Sequence, residues 1–385
     1  MNIESKLIHG GIDGDPHTGA VTVPLYLTST YKQDGIGNHR GYEYSRTGNP
    51  TREAVEVLIA ELEGGVAGFG FASGMAATTA VMMLFKAGDK ILLSSNVYGG
   101  TFRVLDKVFK NFKLEYELVD TSDLELVASK ITKDVKAIFI ETPTNPLMHI
   151  TDIDGISKLA KEHGLLTIVD NTFMTPYLQQ PIKHGADIVL HSATKYLGGH
   201  SDLIAGLAVV NTSELAERLH FIQNATGGVL SPFDSWLLIR GIKTLAVRMD
   251  RHIENTNKLI NFLQQNEAIT KLYYPGINND KDSKIHNTQA AKGGAMISFV
   301  LDSAYNPDKF LQSLQLITLA ESLGGIESLI SHPATMTHAA IPPEIRRELG
   351  IVDNLIRLSV GIENINDLIR DIEHALSSAK DAQSD

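Results

Sequence analysis

The stretch D-I-V-L-H-S-A-T-K-Y-L-G-G-H-S-D, residues 187–202, sets an apolar run, Ile188-Val189-Leu190, directly before Ser192, Thr194 and Lys195 and then Gly198-Gly199. The run reads as a buried strand, and whatever follows a strand in an open α/β sheet stands at its carboxyl end, where ligands bind. Three other runs repeat the arrangement. Lys90 to Leu93 leads into S-S-N-V-Y-G-G-T, Val135 to Ile140 into E-T-P-T-N-P, and Leu165 to Val169 into D-N-T-F, with helical stretches such as Ile153 to His163 between them. Strand and helix alternate from about 70 to 210, which predicts an α/β domain with a mostly parallel sheet covered on both faces. The four strand ends then bring Tyr98, Asn145, Asp170, Thr172, Ser192, Thr194 and Lys195 to one crevice.

Working outward, residues 1 to about 45 carry turn signals such as Asp13-Gly14 and Asp15-Pro16 but no long periodic segment, so an extended arm is expected. Asn49-Pro50-Thr51 opens a helix with Val55, Leu58, Ile59 and Leu62 on one face, stopped by Gly64-Gly65. On the other side, an amphipathic stretch over about 234–264, with Leu237, Ile242, Leu245, Met249 and Ile253, predicts a single long helix linking two domains. Beyond it, strands are expected at Lys271–Tyr274, Ala295–Leu301, Leu316–Ala320 and Leu355–Val360, with helices near 307–314 and 366–378. That pattern predicts a smaller α+β domain with an antiparallel sheet. In the last strand Ile356, Leu358 and Val360 would face the core, leaving Leu355, Arg357 and Ser359 on the other face. The organisation expected is an arm over 1–45, an α/β domain over 46–240 and an α+β domain over 241–385. The tail from Asp381 to Asp385 is expected to fray.

Composition narrows the chemistry. The chain has 385 residues, 43% of them apolar, enough to fill two cores. It contains no cysteine, which excludes disulfides, thiolate nucleophiles and cysteine-ligated metals. A formal net charge of −11 without a basic block argues against a nucleic-acid surface. No apolar run approaches the roughly 20 residues of a membrane span and the first residues lack a signal-peptide core, so a cytoplasmic protein acting on a small molecule is expected. His191 and His200 flank Lys195 at a spacing that matches no common zinc pattern, and no metal site is expected.

The glycine-rich G-F-G-F-A-S-G-M-A-A, residues 68–77, leads into an apolar helical segment and suits a phosphate resting on helix-terminal N–H groups. Its glycine spacing is one residue too long for a dinucleotide fingerprint, and no acid ends the next strand. A lysine, a carboxylate, an aromatic ring, hydroxyls and a phosphate niche in one crevice meet the needs of pyridoxal 5'-phosphate. Lys195 would bond the cofactor aldehyde, Asp170 would keep the pyridine nitrogen protonated, Tyr98 would stack on the ring, and Ser192 and Thr194 would bind phosphate oxygens, with Thr172 beside Asp170.

Seven ordered segments carry a resemblance across essentially the whole chain. They are Y-E-Y-S-R-T-G-N-P-T (42–51), F-A-S-G-M-A-A (71–77), V-Y-G-G-T (97–101), E-T-P-T-N-P (141–146), V-D-N-T-F (169–173), H-S-A-T-K-Y-L-G-G-H-S-D (191–202) and L-A-E-S-L-G-G-I-E-S-L (319–329). With these the sequence resembles the Cys/Met-metabolism family of pyridoxal-phosphate enzymes, of the aspartate-aminotransferase-like fold type I. The resemblance implies a homotetramer of two active-site dimers, in which Tyr44 and Arg46 reach the cofactor phosphate of a neighbouring subunit. Gly74 and Met75 would add backbone N–H groups. It implies that Arg357, helped by Asn145 and Ser322, grips the substrate α-carboxylate, and that Tyr98 assists proton transfer by Lys195.

Methionine γ-lyases resemble Tyr-Gly-Cys-Thr where this chain has Tyr98-Gly99-Gly100-Thr101, which disfavours that branch. Glu43, Glu321 and Arg103 look like the distal-pocket residues of the cystathionine γ-lyases and γ-synthases. The implied reaction is α,γ-elimination of L-cystathionine to L-cysteine, 2-oxobutanoate and ammonia, with homocysteine or cysteine as further substrates releasing hydrogen sulfide. The rival is γ-replacement on O-acetyl- or O-succinylhomoserine. The alternative of another class is a non-catalytic carrier of the cofactor, which the substrate grip of Arg357, Glu43 and Glu321 argues against.

Overall fold

A computed structural model describes the chain except residues 12–13, 279, 338–342 and 381–385. Part of the turn signal at Asp13 and all of the tail from Asp381 lie outside the described residues. A small antiparallel hairpin, β1 (Gln33–Gly35) and β2 (Asn38–His39), lies in the N-terminal arm. Seven strands build the main sheet: β3 (Ala67–Phe71), β4 (Lys90–Ser94), β5 (Glu115–Val119), β6 (Val135–Glu141), β7 (Leu166–Asp170), β8 (Ile188–Ser192) and β9 (Gly206–Val210), in the order β3-β9-β8-β7-β6-β4-β5. Every pair is parallel except those that β9 makes with β8 and β3. The mostly parallel sheet expected from the strand and helix alternation is therefore present, with one antiparallel strand inside it.

Alternation along the strands explains the two covered faces. Ile91, Leu93, Phe139, Ile168 and Leu190 join one apolar cluster, while Leu92, Ile138, Ile140, Val169 and Val189 join the cluster on the opposite face. Each such side chain, fully buried, contributes roughly 1.5–3 kcal/mol. The second face is closed by α2 (Pro50–Glu63), which supplies Val55, Leu58, Ile59 and Leu62. Its start is the one the sequence predicts. Asn49 accepts from the N–H groups of Thr51 and Arg52, Pro50 occupies the first turn, and the helix stops at Gly64.

Three expectations are corrected. The N-terminal arm is not extended throughout, because α1 (Ile3–His9) forms there and buries Leu7 in the α2-side core. So short a helix turns only Leu7 and half-buried Ile3 to that core, which is why no long periodicity announces it. The linking helix is two helices, Pro232–Lys243 and Leu245–Gln264, parted at Thr244. Buried Arg248 donates to the carbonyls of Gly241 at 2.7 Å and Tyr196 at 2.8 Å, and the Thr244 N–H also turns to Gly241. The ladder is thus diverted onto a side chain at that point. In the second sheet β10 (Ile269–Tyr273), β11 (Met296–Leu301), β12 (Thr318–Leu319), β13 (Leu329–Ser331) and β14 (Leu355–Ser359) run in the order β10-β11-β14-β13-β12. It is antiparallel except at β12 and β13, a parallel edge pair.

Ile356, Leu358 and Val360 enter the core of this second layer, and Arg357 points to the other face, as the alternation in the sequence requires. Helices Pro307–Ser313 and Ile365–Ala379 match the expected positions; helices Lys281–Gln289 and Pro343–Glu348 had no counterpart in the sequence reading. The 245–264 helix gives Leu245, Met249 and Ile253 to the first core and Leu259, Ile260 and Leu263 to the second. Across this shared helix Arg357 of β14 bonds Asn145, beyond the end of β6, and shares a cavity with Asp170 and Ser192 at the ends of β7 and β8.

Candidate active site

At those strand ends lies a cavity of about 300 Å3. Lys195 enters it from the turn after β8, and its Nζ donates to Ser322 Oγ at 2.7 Å. Burial, then the nearby Arg357 guanidinium, pulls the lysine amine from 10.5 down to about 8, while Glu321 opposes the shift. Ser322 holds a φ of 90°, rare for a residue with a side chain. Both its ends are used, because its carbonyl accepts from Arg357 Nη2 at 3.0 Å while its hydroxyl accepts from Lys195. Arg357 Nη1 donates to Asn145 Oδ1 at 3.0 Å, and its Nε is buried without a partner. Burial lowers the guanidinium to about 10.

Asp170, the last residue of β7, accepts at Oδ1 from the Thr172 N–H at 3.0 Å and the Thr172 hydroxyl at 2.6 Å. Thr172 Oγ1 in turn accepts from the Ser192 N–H at 2.8 Å, tying the ends of β7 and β8 together. Burial raises the Asp170 carboxyl, and the Thr172 bonds and His191 work against that rise.

The helix α3 (Gly74–Met82) starts at the cavity wall. Ser73 Oγ caps only the Ala76 N–H, so the N–H groups of Gly74 and Met75 stay available at the positive helix end. Close approach explains the glycines here. A Cβ at Gly206 would meet the Ser73 carbonyl oxygen at 2.1 Å, and one at Gly74 would stand 3.0 Å from Ser192 Cβ and 3.1 Å from its Oγ. Thr194 also lines the cavity, with its hydroxyl donating to the Ala205 carbonyl at 3.3 Å and accepting from the Ala205 N–H at 3.0 Å.

Sequence reasoning missed Glu141, which ends β6 opposite Asp170 and accepts at Oε2 from the Tyr98 N–H at 2.7 Å. Burial, and then the charge of Asp170, holds its carboxyl well above the usual carboxylate range. Its position at a strand end, the first letter of E-T-P-T-N-P, was the available signal. Tyr98 opens the helix α4 (Gly99–Lys107) with its ring at the mouth of the cavity, 49% exposed in the single chain.

Four expected residues are not brought to the cavity of their own chain. Arg46 lies over the Tyr44 ring, 5.6 Å from its centroid, and donates to Asn224 Oδ1 at 2.9 Å. Glu43 is exposed and accepts from Gln33 at 3.3 Å, and Arg103 is exposed on α4. Glu321, by contrast, lines the cavity. His200 bonds the Gly198 carbonyl at 2.8 Å, and His191 turns to Glu63 at 2.7 Å.

The donor set fits pyridoxal 5'-phosphate. A low-pKa amine, a buried carboxylate whose Oδ2 carries no bond among the described residues, and a niche of helix N–H groups beside a Ser192 hydroxyl likewise unbonded among them converge on one space. The neutral amine is the nucleophile. Recombination of apoprotein with the cofactor aldehyde should therefore quicken about tenfold per pH unit below 8 and level off above it. The sign for stability follows. The cost of burying charged Lys195 is full below about pH 8 and is relieved as pH rises toward 10.5, so apoprotein and its Lys195→Met variant should converge in stability over that window, read by urea unfolding.

Comparison with known proteins agrees with this chemistry. Residues 4–377 match the model of the family described as Cys/Met metabolism PLP-dependent enzyme. The chain is 58% identical to the cystathionine gamma-lyase of Bacillus subtilis, covering 98% of this chain and 100% of that one. It is 57% identical to a cystathionine beta-lyase of Lactococcus lactis, covering 97% and 99%. The crystal structure of a cystathionine gamma-lyase from Lactobacillus plantarum complexed with L-serine superposes with a TM-score of 0.96 at 55% identity, covering 98% and 99%.

Proposed function

Because the chain belongs to the Cys/Met-metabolism family of pyridoxal-5'-phosphate-dependent enzymes, we propose that it cleaves L-cystathionine by α,γ-elimination and, with one water, gives L-cysteine, 2-oxobutanoate and ammonia. The observation that carries this reading is that Lys195 shares one cavity with two opposite charges, Arg357 and Glu321, both of which act on its amine. A substrate with a carboxylate at one end and an ammonium at the other matches that polarity. When bound, the cofactor supplies the electron sink that stabilises negative charge on the carbon beside the amino group. Arg357, with Asn145 and Ser322 fixing its guanidinium, orients the α-carboxylate. Lys195 takes the proton from Cα, gives it up again within the cavity and is then free to take the second from Cβ, and Tyr98 assists as the γ-thiolate leaves.

Product analysis separates the readings. Incubation with L-cystathionine should yield 2-oxobutanoate and cysteine; pyruvate and homocysteine instead would identify the β-elimination named for the Lactococcus relative. Faster formation of cystathionine from O-acetyl- or O-succinylhomoserine and cysteine would favour γ-replacement. Glu321→Gln should lower kcat/KM for cystathionine about ten- to hundredfold and leave homoserine, which lacks the distal ammonium, within about threefold. Equal losses on both substrates would withdraw the distal role of Glu321.

The phosphate niche holds helix N–H groups and hydroxyls, while the cavity's cations, Lys195 and Arg357, are engaged with Ser322 and Asn145. A phosphate dianion needs a further cation. Arg46, exposed just past the arm, supplies it from a neighbouring copy in a homotetramer of active-site dimers, and Tyr44 beside it adds a hydroxyl. Mixed assembly of inactive Arg46→Ala and inactive Lys195→Ala protomers should restore part of the activity, since some sites combine two intact halves. Proven heteromers without regain would count against a shared site.

A further inference from the structure

On the α2 side of the sheet, away from the phosphate niche, a second set of polar side chains is buried. Glu63, the last residue of α2, is fully buried, and its Oε1 accepts from His191 Nε2 at 2.7 Å and from Asn171 Nδ2 at 2.9 Å. Asn171 Nδ2 also donates to the Gln179 carbonyl at 2.9 Å. Gln179 Nε2 closes the set, donating to Asn171 Oδ1 at 3.0 Å and to the Thr142 carbonyl at 3.2 Å. Glu63, Asn171, Gln179, His191 and Thr142 are all at most 1% exposed.

Their positions in the chain link them to the cavity. Thr142 follows Glu141, Asn171 sits between Asp170 and Thr172, and His191 precedes Ser192. Alternation turns Asn171 and His191 toward α2, His191 also forming part of the cavity wall, and leaves Asp170, Thr172 and Ser192 facing the cavity. Burying a carboxylate is unfavourable unless directed bonds compensate it, and an apolar side chain of the same size would fill the space without that cost. What an apolar side chain lacks is a single acceptor for donors from two strand ends. His191 also favours the ionised form of Asp170, which places the pair within electrostatic reach of the cavity.

We propose that Glu63 is a positioning residue for the cofactor cavity: by accepting from His191 and Asn171 at one oxygen it fixes the ends of β7 and β8 against each other, so that Asp170, Thr172 and Ser192 present their oxygens at one spacing. The inference rests on the assignment of the cavity to pyridoxal 5'-phosphate. Because Glu63 Oε2 has no partner, an amide in its place removes no hydrogen bond, whereas a leucine removes both.

The test strips the cofactor from the full-length protein and from its Glu63→Gln and Glu63→Leu variants, then titrates it back. Affinity is read from absorbance and orientation from the visible circular dichroism of the bound cofactor. Glu63→Leu should weaken binding about tenfold or more and alter the dichroic band, and Glu63→Gln should stay within about threefold of the parent. Asn255→Leu is the control for mere destabilisation, since Asn255 is fully buried and donates to the carbonyls of Gly361 and Glu363 instead. It should lower thermal stability and leave the band unchanged. An unchanged Kd and band in Glu63→Leu would overturn the proposal, as would a Glu63→Gln variant as impaired as Glu63→Leu, or an equal change of band in the control. Should Glu63→Leu not fold, His191→Phe against His191→Gln asks the same question from the donor side, with rescue expected only for the glutamine. Borohydride reduction of the parent keeps the two assignments apart: a pyridoxyl group missing from Lys195 strikes the cavity assignment, and a null result in the titration strikes Glu63 alone.

Discussion

Lys195→Ala should fold and assemble as the parent does, yet lose turnover of every amino-acid substrate by several orders of magnitude. Among the described residues Lys195 is the one amine that lines the cavity, so on the proposed reading both the covalent hold on the cofactor and the base acting at Cα and Cβ disappear together. Ser322 Oγ loses its donor, and Arg357 keeps its bonds to Asn145 Oδ1 and the Ser322 carbonyl. The grip proposed for Arg357 should therefore survive the loss of chemistry. Borohydride treatment of the parent should leave a pyridoxyl group on Lys195 by peptide mapping, and the variant should release its cofactor on denaturation. Recovery of the group on another lysine, such as Lys183, would end the assignment. Residual turnover within about tenfold of the parent would mean that the proton transfers belong to another group.

Arg357→Leu is the second large effect, and it differs in kind. On the proposed reading two charge-assisted contacts to the α-carboxylate are lost at once, so kcat/KM should fall about a hundred- to a thousandfold on all amino-acid substrates, long or short. Binding of the cofactor itself should change little, and the pyridoxyl group should still be recovered on Lys195. A positive charge beside Lys195 disappears as well. Since Arg357 helps hold the amine down at about 8, the pH at which recombination levels off should move upward in the variant. Leucine fills much of the buried space without an unpaired charge, so the fold should tolerate it. Arg357→Lys should rescue little, because a point charge cannot reproduce the planar fork that spans Asn145 and Ser322. Loss confined to cystathionine, with homoserine spared, would place Arg357 at the distal end and reverse the polarity proposed for the substrate.

The four parallel strands that carry the cavity were legible because each is a short apolar run ended by polar residues, and that signal is local. β3, with glycines at 68 and 70, shows no such run and read only as a phosphate loop. β9, buried at every position, forms where the chain returns antiparallel beside β8, a pairing that no local pattern announces. The break at Thr244 escaped notice for a similar reason, since its cause is a guanidinium from the next helical turn reaching back to Gly241. Glu141 looked like any polar residue after a strand until its neighbours across the sheet and above it were in place.

The sequence by itself determined which residue types stand at the carboxyl ends of β4, β6, β7 and β8, because covalent adjacency and the two-residue period of a strand allow no other arrangement. It thereby determined the amine, the carboxylate and the hydroxyls that suit the cofactor. Only the tertiary structure decided their states. Burial lowers Lys195 and raises Glu141, and Arg357 and Asp170, groups far from them in the chain, add to those two shifts. The tertiary structure also decided that Glu321 shares the cavity with Lys195 while Glu43, Tyr44, Arg46 and Arg103 do not, since distance in space is set by how the two sheets pack around the shared helix and not by any pattern along the chain.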